Sequence, residues 1–145
     1  MTVQDRRLQC WPGTFAERKS FQRDASRRYP TLRGQSIRDG FRYTLMVPVA
    51  GYGTDRAVRI VFAGFEPAVF VDGPTASPHR YRNGSLCMWY PPDPPDRRWC
   101  FDDGLPELIN HIALHLFREA WWRETGGLNG GEWCGDEAPH GERAR

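Results

Sequence analysis

Four cysteines and four histidines are the side chains of this sequence with the widest chemical repertoire. Cys10, Cys87, Cys100 and Cys134 are scattered, with no Cys-x-x-Cys pair, so neither a zinc site nor a disulfide framework is expected. Cys87 stands apart because it closes the run HRYRNGSLC, residues 79–87. A thiolate is the strongest nucleophile a protein offers near neutral pH, and a thioester keeps an acyl group activated until an amine arrives. Gly84 lets a second backbone approach closely, and Ser85 and Leu86 are small enough to leave room for an extended peptide tail. The alternative for Cys87 is the ordinary state of a free cysteine, a buried and inert thiol. Cys100, beside Trp99 and ahead of a helix, reads as packing, and Cys10 and Cys134 as bystanders. His111 and His115 have the i, i+4 spacing of a metal pair, yet no third ligand stands nearby. Surface positions or packing on a helix face explain them better. No metal and no cofactor is therefore expected.

These residues need a scaffold, and its parts are legible. TFAERKSFQRDASRR (14–28) predicts a polar first helix, with Thr14 as N-cap, Glu17 at capping-box spacing and Pro30 as terminator. FRYTLMVPV (41–49), RAVRIVFAG (56–64) and PAVFVDG (67–73) predict three strands of an antiparallel meander, the first two joined by a turn holding Gly51 and Gly53. Residues 74–103 are rich in proline and carry Trp89, Tyr90 and Trp99, which argues for an ordered, packed loop. Leu105, Leu108, Ile109, Ile112, Leu116, Phe117, Ala120 and Trp121 then form the stripe of an amphipathic helix over 105–125. Asp102 or Asp103 is expected to cap it, Pro106 fits its first turn, and Gly126 ends it. In the tail, Trp133 predicts a docked segment, GGEWCGDEAPHG, because a solvent-facing tail has little use for a tryptophan. The class is α+β, in one domain spanning 1–145, with a core of about 14–140 and a frayed end at 141–145.

HRYRNGSLC resembles the active-site segment of ubiquitin-conjugating enzymes, in which a His-led motif runs into Asn-Gly-small-aliphatic-Cys. FEPAVF (65–70) is similar to the family's Tyr-Pro-x-x-Pro-Pro segment, and Trp99 takes the place of its downstream Trp. The likeness covers roughly residues 14–125, and the tail GEWCGDEAPHG resembles compact bacterial members. Those are encoded beside activating-type enzymes and deconjugating peptidases, some in antiphage operons of the CBASS or Bil type. The resemblance implies the ubiquitin-conjugating (UBC) fold and a thioester on Cys87. It implies three partners: a ubiquitin-activating-like enzyme, a ubiquitin-like protein or a CBASS nucleotidyltransferase (CD-NTase) whose C-terminus is the donor, and a lysine-bearing acceptor protein. It also implies contacts to the donor tail from Gly84, Ser85, Leu86 and Trp89. One departure matters: the family's His-Pro-Asn is here His79-Arg80-Tyr81, about two residues shorter. An oxyanion donor must then come from Tyr81, Asn83, a backbone N–H or His140, with His79 supporting the loop.

Two rival functions use the same residues. One is a UBC-fold adaptor with an unreactive Cys87. The other is a cysteine hydrolase built from Cys87, His140 and Asp136, which the chain order permits but no feature demands. Bulk properties narrow the field. A net charge of +2 does not suggest nucleic-acid binding. No apolar run approaches the ~18 residues needed to span a bilayer, and the first twenty residues lack a signal-peptide core, so a cytoplasmic, non-membrane protein is expected. Without a phosphate-cradling Gly-Lys-Ser/Thr loop, the chain must receive an activated C-terminus from a partner. Lys19 is its sole lysine, which would limit self-modification by such an intermediate.

Overall fold

The computed structural model describes residues 15–64, 66–73, 76–89, 93–94, 96 and 98–135. The expected cap at Thr14, and Cys10, Tyr90, Asp136 and His140, lie outside the described residues. Helix α1 (Phe15–Arg28) is mostly solvated and is held by two residues. Ala25 is buried, and the Phe21 ring stacks on Phe101 at 4.7 Å between centroids.

The sheet has four strands: β1 (Arg33–Ile37), β2 (Gly40–Val49), β3 (Thr54–Phe62) and β4 (Ala68–Val71). All pairings are antiparallel, in the order β1-β2-β3-β4. The expected meander is β2 to β4, with ends shifted by at most two residues. β1 is the unforeseen strand. RGQSI has no apolar alternation because it is an exposed edge strand, so only its turn could have announced it. Ile37 pairs with Gly40 across Arg38-Asp39, and Asp39 adopts φ 62°, the left-handed backbone of a tight hairpin before a glycine.

Period two then sorts the strands. Phe41, Tyr43, Leu45, Val47 and Val49 of β2 face inward with Val58, Ile60 and Phe62 of β3 and Val69 and Val71 of β4. Helix α2 (Leu105–Glu124) covers that face with Leu105, Leu108, Ile109, Ile112 and Leu116. Each such side chain removed from water contributes roughly 1.5–3 kcal/mol.

Two expectations about α2 are corrected. Asp102 and Asp103 do not cap it. They lie in a separate 3-10 turn (Phe101–Asp103), where the Asp103 carboxylate accepts the Cys100 N–H at 2.8 Å. The N-cap is Gly104, with φ 85° and no side-chain bond. The buried stripe also passes through His115, Glu119 and Trp122, leaving Phe117, Ala120 and Trp121 only partly covered. A stripe read from apolar residue types misses this turn of the helix because two of its inward positions are polar. No helix among the described residues is long and apolar enough to cross a membrane.

Candidate active site

Residues 79–87 form a miniature hairpin laid against the free edge of β4. Arg80 and Leu86 make an antiparallel bridge, the Cys87 N–H donates to the His79 carbonyl at 2.7 Å, and the Leu86 N–H donates to Val69 O at 2.9 Å. Tyr81 N–H donates to Ser85 O, and Gly84 N–H to Tyr81 O, which closes a tight turn over 81–84. Gly84 has φ 88°, so a glycine is needed there. The Asn83 side-chain oxygen accepts both the Ser85 N–H (3.0 Å) and the Ser85 hydroxyl (2.6 Å). His79 carries φ 60°, a strained backbone for a side chain of this kind, and such strain gathers at functional sites.

This hairpin brings Tyr81, Asn83 and Cys87 into one unit, and it also buries much of what the sequence offered to substrate. Cys87 is 0% exposed, with its S–H directed to Trp89 O at 3.7 Å. Ser85, Leu86 and Trp89 are likewise buried. The expectation that Ser85 and Leu86 leave room for a peptide is corrected. In this structure both are buried, Leu86 in the core and Ser85 in its bonds to Asn83, because one strand edge and the hairpin close on each other. Arg82 and Asn83, exposed, and Gly84, half-buried, are the parts of the motif that reach the surface.

The histidine pair of α2 faces two indoles. His111 meets Trp89, just after Cys87, at 5.5 Å, and His115 meets Trp133 of the tail at 5.1 Å. Trp133 also covers His79 at 4.8 Å. The tail therefore returns over α2 and rests on the start of the Cys87 hairpin. Its path is fixed by the Gly127 N–H to Trp122 O bond and by the Thr125 hydroxyl, which accepts the Glu132 N–H. His115 is a core residue, not a surface one, and no metal-holding group of His, Cys, Asp and Glu forms among the described residues.

Three residues of the site went unrecognised in the sequence. Arg80, Glu119 and Ser77 form a buried polar cluster beneath the hairpin. Arg80 binds Glu119 through two parallel bonds, Nε to Oε2 at 2.8 Å and Nη2 to Oε1 at 2.9 Å. Its Nη1 donates to Val71 O (2.7 Å) and Gly84 O (3.1 Å), while Ser77 and Arg123 also donate to Glu119. Burial works to raise the Glu119 carboxyl, but the Arg80 and Ser77 bonds outweigh it and hold the carboxyl below its usual range. Gly73 passes so close that a Cβ there would sit 2.5 Å from Arg80 Nη2. The available signal was Glu119 itself, a charge four residues beyond His115 on the inward stripe.

Burial depresses His115 to about 3 from 6.5, with Glu119 opposing and His79, Arg80 and Arg118 assisting. Below pH 6.5 the unfolded chain binds a proton that the folded site refuses, so the stability this neutral ring supplies is lost as pH falls from 6.5 towards 3. Between pH 7 and 5, unfolding free energy from urea titrations should therefore decline by up to about 1.4 kcal/mol per pH unit per proton. His115→Phe should flatten that slope. An unchanged slope in His115→Phe would assign the acid sensitivity elsewhere, with the half-buried His111 next in line.

On the outer face of the sheet, Thr44, Met46, Arg59 and Phe70 line a groove of about 540 Å³ that ends at Asn83 and Gly84. Cys87 is not among its lining residues. No family model, curated protein or solved structure matches the chain.

Proposed function

We propose that this chain is a ubiquitin-conjugating-type acyltransferase with the UBC fold. It takes the C-terminus of a ubiquitin-like protein, or of a CBASS-type nucleotidyltransferase, as a thioester on Cys87 and passes it to a lysine amine, in antiphage defence. The observation that carries this reading is the hairpin that joins His79 to Cys87 by a backbone bond, between a four-strand antiparallel sheet and the segment running through Trp99 into α2. In the transfer, the Cys87 sulfur attacks the activated carbonyl delivered by the activating enzyme, and the partner's sulfur departs as a thiol. The acceptor amine then displaces Cys87. Because the thiol is closed off at rest, the reading includes an opening of the hairpin or of its Trp89 and Trp133 flanks when the partner docks.

That burial, with the S–H directed to Trp89 O, is also the observation favouring the second reading, an adaptor that binds a ubiquitin-like protein without chemistry. Intact mass after incubation with a ubiquitin-activating-type enzyme, ATP and its donor separates the two. The enzyme gains one donor minus water, and loses it to dithiothreitol. An activating enzyme that is itself loaded, beside a chain of unchanged mass, selects the adaptor.

A further inference from the structure

We propose that Arg80 and Glu119 are positioning residues, a latch that holds the Cys87 hairpin shut against α2 and sets how readily the thiol is presented. One guanidinium joins three parts of the fold: β4 through Val71 O, the return limb of the hairpin through Gly84 O, and α2 through both oxygens of Glu119. Arg80 lies between the two bonds that place the thiol. It follows His79, whose carbonyl holds the Cys87 N–H, and it bridges Leu86, the residue before Cys87. A displacement of Arg80 therefore shifts both rungs beside the sulfur.

Stability alone is a poor account of such a pair. Both side chains are almost wholly buried, at 3% and 1% exposure, and desolvating an ion pair cancels much of its attraction. What the pair supplies in full is geometry, since a planar fork against a carboxylate accepts one arrangement. The cluster also depends on one negative charge. Glu119 is one carboxylate facing Arg80 and Arg123, with Arg56 close enough to feel both. With Glu119 ionised, the cations are drawn inward. Without that charge they repel one another, and Arg80 gains by moving to water, taking the hairpin with it.

The test reads the thiol directly. Wild type, Arg80→Lys and Glu119→Gln are treated with iodoacetamide, and the alkylation rate of each cysteine is followed by peptide mass spectrometry. Lysine keeps the charge but has three donors on one nitrogen, so it cannot make the four bonds of Arg80 or its planar fork to both Glu119 oxygens. Cys87 should react about tenfold faster in both variants, while Cys100 and Cys134 stay within about twofold, because local opening rather than global unfolding governs the rate. An unchanged Cys87 rate, or one rising in step with Cys100, overturns the latch. If Glu119→Gln fails to fold, Arg80→Lys carries the test alone. A second readout rests on the acyl-transfer reading: donor loading at saturation should rise about tenfold, because the opening it requires is already made, with the half-saturating concentration of activating enzyme unchanged. If wild type never loads, that reading falls, and the alkylation rates still decide the latch.

Discussion

Cys87→Ala should leave no reductant-sensitive adduct after incubation with activating enzyme, ATP and donor, whereas Cys100→Ala should load as wild type is proposed to do. Cys87→Ser gives a linkage that survives dithiothreitol, because a hydroxyl forms a less activated oxygen ester. The structure sharpens the contrast between the two sulfurs. The Cys100 S–H sits 3.3 Å from the Asp103 carboxylate, which also accepts the Cys100 backbone N–H, so this residue closes a turn. Cys87 ends a strained, glycine-dependent hairpin closed by backbone bonds from Tyr81, Gly84, Leu86 and Cys87. Intact mass before and after reduction checks all three variants. A folded Cys100→Ala protein without the adduct, beside a Cys87→Ala protein that keeps it, would transfer the nucleophile to Cys100.

Trp99→Ala should be the most destabilising single change, costing about 3–5 kcal/mol. Trp99 is 5% exposed, and its ring lies 6.1 Å from Phe62 and 6.5 Å from Phe21. Its indole N–H donates to Gly104 O at 2.7 Å, at the residue that starts α2. Truncation therefore opens a cavity where α1, the sheet and α2 meet, and frees the start of the helix. Calorimetry should record a melting temperature lower by roughly 10 °C, given the few degrees per kcal/mol expected at this size. Activity should disappear in parallel with folding. A Trp99→Ala protein that melts like wild type yet does not load donor would place this side chain in recognition of a partner.

The strands that form the core were readable because Tyr43, Leu45, Val47 and Val49 alternate with Arg42, Thr44, Met46 and Pro48, and burial follows that alternation. α2 was readable for the same reason at its own period. β1 was not, since an edge strand exposed along its length carries no burial pattern, and its Asp39-Gly40 turn was the sole clue. In the site, the sequence singled out residues 79–87, by a motif likeness and as a loop rather than a hairpin, and the docking of Trp133, which announces itself through residue type. The Arg80–Glu119 pair did not, because the two are 39 positions apart and each looks like an ordinary solvated charge until the fold closes around it. The burial of Cys87, Ser85 and Leu86 was hidden likewise: it depends on the hairpin meeting the edge of β4, a contact set by the sheet order.

That contact gives the hairpin another duty. The outward carbonyls of Val69 and Val71 at the edge of β4 would, if bare, invite a strand from another molecule. Here they are taken by the Leu86 N–H and by Arg80 Nη1. The segment that carries the thiol is thus also the sheet's edge guard, and lifting this hairpin off β4 would uncover an adhesive strip of backbone. A change that lifts the hairpin should therefore promote self-association along with thiol exposure, an aggregation cost that grows with protein concentration.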